Sequence, residues 1–578
     1  MPLTPAFPLA LPLLLLIPAI FALLRRFDGL YGQDPFAYYD YATGPLRLAL
    51  QQLAPPPPFY WPPGYPLLVA LASFALGARP LAGQLVSLLA GALVPLCTAL
   101  LAREVWPATP DRGRGGSMTR PRGVAPVPPS ATRSGRVIDP PLPAYGPFVA
   151  GLLMAYCGQL WQSSIVVMSD TTGLAAATAG IWALVRYGHR RHGVWLALAS
   201  ALLAYAILTR WAYALVALPC LAYACWLLSR TASSERRRTL QHFAIAAIIA
   251  CAILGPVLWP LLTPQRANPQ SFAVDLQVYR WHPLNALRRA FDTADGRLVY
   301  PWPNGFYYAT LLARPLYFTP LLAWLLLPGL WVALRRPTAP LLLLVGWAGS
   351  VAAFHAGAPW QNVRFALALA PPCAILIALG LAAVWRGERR WHQLAASALL
   401  TLGLAWMLVA NLQLLDGFIA RKEADLAVAR ALTAPPDTRL LTFGLTLTVR
   451  HYTPYPTFDL SELDPATLAT LLADGRPTLL LLDVPNIEQQ WPGRAPETNY
   501  RWLRTHPGLT LVAEYGPYTL FQIGLVGSAG QVLPSAEPNP QSAIGYPPAG
   551  HPPGTHREPT GNPPQWVVGG GWWVVNPQ

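Results

Sequence analysis

Charge is scarce in this sequence. Only 12% of its 578 residues are Asp, Glu, Lys or Arg, and an ordinary soluble domain carries about twice that share. Lysine is almost missing: Lys422 stands alone against forty arginines, a bias that fits a GC-rich bacterial genome. Cysteine is also sparse. Its six residues, Cys97, Cys157, Cys220, Cys225, Cys251 and Cys373, sit inside hydrophobic runs without metal-ligand spacing, so they read as small core residues and not as a zinc centre. Histidines do not cluster either: His189 and His192 flank an arginine run, while His355 and His451 stand alone. The net charge of +15 would suggest a nucleic-acid partner in a soluble protein. Here the arginines lie mostly between hydrophobic runs, which points to membrane topology and away from nucleic acid.

What the chain has in abundance is hydrophobic length. Apolar residues make up 53% of it, the mean hydropathy is +0.34, and about eleven runs are candidate membrane helices. They lie near 8–24, 81–102, 145–160, 171–187, 194–209, 211–228, 243–262, 316–334, 339–355, 366–385 and 393–412. The first has no basic residue before it and no small-residue cleavage site after it, so it reads as a helix and not as a signal peptide. Arg-rich short loops stay cytoplasmic. Loop 103–143 carries seven arginines, and the loops around Arg190, Arg236 to Arg238, Arg335 and Arg389 repeat the pattern. This predicts a multi-pass protein of a bacterial plasma membrane, with the N-terminus inside and the C-terminal region outside. Arg25 and Arg26, at the outer end of the first run, disagree with that orientation.

Four segments then reach the outer face: 25–80, a turn around Ser169 and Asp170, the loop 263–315, and the turn 356–364. Residues 104–143, rich in Pro, Arg, Gly and Ser, read as a disordered cytoplasmic loop inside a membrane domain spanning 1–415. Residues 416–526 break the membrane pattern and read as a small extracytoplasmic α/β domain. It has strand-like runs at 439–446, 478–484, 509–515 and 518–523, and a helix in 461–475 capped by Ser461 or Asp464. It has no Gly-rich phosphate loop and reads as a lid or acceptor-docking domain. Residues 527–578 read as a disordered tail.

The chemistry concentrates in FDGLYGQDPFAYYDYA at 27–42, where acids and aromatics follow the first apolar run. Pro35 suits a first helical turn, so Asp34 is a natural N-cap of a surface helix. Continuing that helix puts Tyr38 on the face of Asp34, while Tyr39 and Asp40 turn away. A carboxylate beside aromatic rings suits a sugar cleft, where rings stack on sugars and the acid takes a proton from an attacking hydroxyl. WPPGYPLLVALASFALG at 61–77 reads as a second surface helix that brings Trp61 and Tyr65. Asp170, closing VVMSD, is either a solvated cap of the next helix or a site residue.

The order of these segments resembles the GT-C superfamily of polytopic glycosyltransferases. It runs from an acid-aromatic loop after the first span, through PPGYPLL, a span ending in arginine, and SD at an outer turn, to NVRFALALAPP at 362–372. The chain is most similar to the branch containing protein O-mannosyltransferase-like, lipid A aminoarabinose-transferase-like and RgtA/B/C/D-like enzymes, over roughly 1–415. The resemblance implies a GT-C-like polytopic helical fold with interfacial helices in its first outer loop. It also implies transfer of a sugar from a polyprenyl-phosphate donor to a lipid, glycan or protein acceptor at the outer face. By motif position Asp34 is the catalytic base, with Asp28 and Asp170 as further candidate acids. Many members of the branch have Asp-Glu where this chain has Asp34-Pro35. Arg364 is the candidate partner of the lipid phosphate, because a guanidinium can hold a departing phosphate with two hydrogen bonds. Arg210, Tyr38, Tyr39, Trp61, Tyr65, His355 and Gln361 complete the expected substrate-binding set. The superfamily admits a divalent metal, which a single clear Asp would ligate poorly; no other cofactor is implied. Two other readings stay open: an O-antigen ligase or polymerase-like enzyme, with its key residues in 263–315, and a transporter, which the near absence of ionisable residues inside the runs disfavours.

Overall fold

The computed structural model describes residues 7–59, 61–106, 145–262, 280–293, 295–385 and 390–524, with two short strands at 568–569 and 572–573. Most of 104–143 and of 527–578, together with residues 263–279 and so Tyr279, lie outside them.

Every one of the eleven hydrophobic runs contains helix. Among the described residues, six helices are long and apolar enough to cross a membrane: Pro80–Val105, Trp211–Ser229, Ser233–Trp259, Ala339–Gly357, Val363–Trp385 and Arg390–Ala431. The others are shorter, interrupted or less apolar. Ser233–Trp259 shows why the chain is a membrane protein. Its most apolar stretch is only 6% buried, with Ile245, Ile248 and Trp259 exposed, and a helix apolar on all sides and uncovered needs hydrocarbon around it.

The run at 145–160 shows how an interruption is accommodated. It breaks between the helices Gly146–Ala155 and Gly158–Ile165, and backbone groups freed inside a membrane protein must find partners. Asn411, in the long helix Arg390–Ala431, donates its Nδ2 to the Tyr156 carbonyl at 2.7 Å, and the Gln159 N–H reaches the Leu316 carbonyl at 2.9 Å. Gly158 lets Asn411 in: a Cβ there would lie 2.0 Å from its Oδ1.

Two glycines set the contact between the helices Leu326–Arg335 and Ala370–Trp385. A Cβ on Gly329 would lie 1.8 Å from the Leu376 carbonyl oxygen, and one on Gly380 would lie 2.0 Å from that of Leu325. The two backbones touch, as small residues permit between membrane helices. Gly329→Val is therefore expected to force the pair apart at a cost of at least about 1–3 kcal/mol. The check is the melting temperature of the detergent-solubilised variant, and a temperature equal to wild type would contradict this packing.

Beyond the long helix, five strands form one sheet. A hairpin earlier in the chain supplies β1 (Ala290–Thr293) and β2 (Gly296–Val299). The sheet then contains β3 (Arg439–Phe443), β4 (Thr457–Asp459), β5 (Thr478–Asp483), β6 (Leu509–Tyr515) and β7 (Tyr518–Ile523), in the order β4-β3-β5-β7-β6. β3 pairs in parallel with β4 and β5, and the β6–β7 hairpin adds antiparallel to β5. β3 and β5 are buried on both faces, which explains why neither alternates apolar with polar residues and why β5 carries four consecutive leucines. The helix Pro465–Leu472 is capped by Asp464, whose carboxylate accepts from the Thr467 N–H at 2.8 Å.

The sheet module is tied to the first loop through the chain's one lysine. Lys422 is buried in the long helix, ion-paired with Asp28, and 3.0 Å from the Tyr452 hydroxyl, which itself donates to Asp28. Arg25 pairs with Asp416 and Glu423 of the same helix. That pairing neutralises one of the two arginines that disagreed with the charge rule. Lys422→Ala removes one corner of the Asp28 triangle, and we expect it to loosen the module by about 1–2 kcal/mol. Faster protease cleavage of the 432–438 connection is the measurement, and unchanged cleavage would deny the tie.

Candidate functional site

The helix Asp34–Thr43 lies against the protein, burying Phe36, Tyr38, Tyr41 and Ala42. Gln33 holds the N-cap position and Asp34 the first turn, with no side-chain cap. The expected capping role of Asp34 is thus corrected, because its carboxylate is used elsewhere. One oxygen accepts from Arg364 at 3.1 Å, a residue 330 positions away.

Arg364 is the hub of a four-membered charge cluster. Its other terminal nitrogen lies 3.6 Å from Asp170, whose second oxygen is ion-paired with Arg210. The side chains of Arg364 and Asp170 are only 7% and 3% exposed, and those of Asp34 and Arg210 16% and 21%. Two cations and two anions balance one another where water is largely excluded, which is the condition under which buried ions are tolerated. Four residues expected from the sequence, Asp34, Asp170, Arg210 and Arg364, are thereby brought together. Ser169 occupies the N-cap position of the helix Asp170–Arg190 without a side-chain cap bond, and Asp170 turns toward the arginines. The Phe365 ring lies under both guanidinium groups, 5.1 Å from that of Arg210 and 5.6 Å from that of Arg364.

The turn that carries Arg364 is heavily braced. The C-terminal carbonyls of the helix Ala339–Gly357 would be orphaned where it ends. Asn304 donates to those of His355 and Ala356 at 3.0 and 3.2 Å and also to that of Ala358, while Asn285 donates to that of Gly357 at 2.8 Å. The Tyr308 hydroxyl donates to the Trp360 carbonyl at 2.9 Å and accepts from the Asn362 N–H at 3.2 Å. Asn362 in turn accepts the Arg364 N–H at 3.0 Å. These braces hold the backbone under Arg364, so the guanidinium approaches the cluster from a fixed base.

An aromatic wall adjoins the cluster. Tyr38 stacks on Trp61 at 4.8 Å and meets Phe59 and Tyr65 edge-on at 5.8 and 5.3 Å. Its hydroxyl shares a hydrogen bond with Ser169 at 3.1 Å. Burial, together with the nearby Asp34 carboxylate, pushes the Tyr38 phenol up to about 12, so it is a neutral hydroxyl at any physiological pH. Tyr65 is fully buried and bonded to Ser87 at 2.9 Å, a supporting position behind the wall.

Other expected residues go elsewhere. Asp28 belongs to the Lys422 tie. Tyr39 turns outward, as its helical position predicts, giving its hydroxyl to the Ala78 carbonyl at 2.9 Å. His355 stacks between Tyr308 and Phe365, at 5.4 and 5.6 Å, and so stands behind the ring under the arginines. Gln361 donates to the Trp302 carbonyl at 2.6 Å. Sequence reasoning missed the bracing asparagines, Phe365 and Asp295. Asp295 could have been found from its Asp-Gly step between apolar residues, a strong hairpin signal. Burial and the charge of Asp34 raise the proton affinity of its carboxyl, against the opposing hydrogen bond from Trp360. Among the described residues no three His, Cys, Asp or Glu side chains converge as a metal would require.

The fold is shared with solved membrane proteins. The structure of ArnT from Cupriavidus metallidurans bound to undecaprenyl phosphate is similar at a TM-score of 0.55 and 16% identity, covering 90% of this chain and 99% of that one. The oligosaccharyltransferase AglB from Archaeoglobus fulgidus, in complex with an inhibitory peptide and a dolichol-phosphate, is similar at a TM-score of 0.50 and 13% identity, covering 87% and 73%. Both belong to the GT-C superfamily of membrane glycosyltransferases, so the GT-C-like architecture implied by the sequence is the one observed. No protein-family model and no curated protein sequence matches the chain.

Proposed function

We propose that this protein is an integral membrane glycosyltransferase of a bacterial plasma membrane. It moves a sugar from a polyprenyl-phosphate donor to a lipid, glycan or protein acceptor at the extracytoplasmic face, and its C-terminal α/β module lies on that same side. The observation that carries this reading is the cluster of Asp34, Asp170, Arg210 and Arg364, set in a fold whose solved representatives hold undecaprenyl phosphate or a dolichol-phosphate.

The cluster supports a direct displacement. In the resting state the two carboxylates occupy the positions that a phosphate would take on Arg364 and Arg210. A lipid-linked phosphate competes for those guanidinium groups, which suit its geometry and gain from its growing charge as the bond to the sugar breaks. Asp34, released from Arg364, accepts the proton of the acceptor hydroxyl or amine. The acceptor forms its bond to the anomeric carbon as the bond from that carbon to the phosphate oxygen breaks, which inverts the configuration. Tyr38 and Trp61 supply flat apolar surface for the sugar or the first isoprene units.

Purified protein in detergent, given polyprenyl-phosphate hexoses with labelled sugar and membrane acceptors, tests the reading. Transfer above a no-protein control is the expected result. A failure to transfer from any of several such donors, with intact folding, would remove it.

A further inference from the structure

We propose that Asp295 is a positioning residue for the phosphate-binding turn, and that through it the C-terminal module acts on the lipid-phosphate side of the site. This rests on the reading of Arg364 as the phosphate partner.

The geometry runs across three segments remote in sequence. Asp295 sits in the tight turn of the β1–β2 hairpin, and its Oδ2 accepts from the Trp360 indole Nε1 at 3.1 Å. Trp360 lies four residues before Arg364, in the turn gripped by Tyr308. The indole is thus the outer handle of that turn, and the Asp295 carboxylate holds the handle. On the other side, Gln490 ends the helix Val484–Gln490 of the sheet module and donates its Nε2 to the Asp295 backbone carbonyl at 2.5 Å. The next residue, Gly296, fits closely: at a φ of +92°, its Cβ would lie 2.2 Å from the Gln490 carbonyl oxygen. Module, hairpin and turn are therefore in direct register. A backbone that must hold a guanidinium on a lipid phosphate to within a fraction of an ångström gains from such outer support.

The role follows from hydrogen bonding and not from charge, which separates it from a second catalytic carboxylate. Asn at 295 still presents an oxygen to the indole N–H, whereas Ala does not, and Phe at 360 removes the donor. The probe is undecaprenyl phosphate in detergent micelles, titrated against the full-length protein and its variants, with acceptor KM and melting temperature measured alongside. Asp295→Ala and Trp360→Phe should each weaken binding about tenfold, and the double variant should be no worse than either, the signature of one shared interaction. Asp295→Asn should stay within about twofold of wild type, and Gln490→Ala should fall between, near threefold. Acceptor KM should not move. Arg364→Ala, run in parallel, tests the underlying reading. Weak binding by Arg364→Ala with normal binding by Asp295→Ala and Trp360→Phe would overturn the relay alone. Loss in Asp295→Asn equal to that in Asp295→Ala would also overturn it, by assigning the effect to charge. Normal binding by Arg364→Ala would overturn both readings.

Discussion

Asp34→Asn is expected to lower kcat for sugar transfer by about 10²–10⁴-fold, the usual worth of a positioned general base. The donor KM should stay level or fall. Asn keeps the shape of Asp and can still accept a hydrogen bond from Arg364, but it cannot take a proton and no longer competes as an anion for that guanidinium. Asp170 remains to balance Arg364 at 3.6 Å, so the variant should fold and melt near wild type. The split matters more than the loss. A residue that only braced the arginines would raise the donor KM when neutralised, whereas a base lowers kcat alone. Steady-state transfer at several donor concentrations, with purified protein in matched detergent, reads both parameters. Near-normal kcat in the variant would move the base away from Asp34, and Asp170, the other acid of the cluster, would be the next to replace.

The second large effect is on binding and stability together. Arg364→Ala should weaken undecaprenyl phosphate binding by about a hundredfold, the equivalent of losing two charge-assisted hydrogen bonds. It should also destabilise the protein by about 3–5 kcal/mol, the cost of leaving buried charges without their partner. The charge most affected is Asp34, which faces the lost arginine, whereas Asp170 keeps Arg210. Arg364→Ala with Asp34→Asn should therefore recover much of the melting temperature and none of the affinity, which separates folding from function. Arg364→Lys keeps the charge but not the planar fork and should lie between wild type and alanine in affinity. Ligand titration and thermal melting on the same samples provide the check. Wild-type affinity in Arg364→Ala would end the phosphate assignment.

Much of the architecture was legible because hydrophobic length is a local property. Runs such as 81–102 and 393–412 announce helices through composition alone, and Asp464 followed by Pro465 announces a cap and a first turn. The parallel strands at 439–443 and 478–483 were visible as short apolar stretches, since burial on both faces leaves no polar alternation to confuse them. Less legible were the interruptions. Nothing within 145–160 reveals that its helix breaks near Cys157, because the groups that compensate come from Asn411 and Leu316, far along the chain.

The sequence by itself determined that this is a membrane protein of many apolar helices, that its acids are few, and that the notable ones stand at the ends of those helices beside aromatics. It determined this because solvent partition acts on each segment separately. Only the tertiary structure decided which acids meet which arginines. Asp28 and Asp34 are six positions apart with similar neighbours, yet one is tied to Lys422 and the other to Arg364. Asp295, which carried no weight in the sequence, reaches the same turn through Trp360. Ion pairing in a low-dielectric interior depends on ångström distances between segments hundreds of residues apart, and packing alone sets those distances.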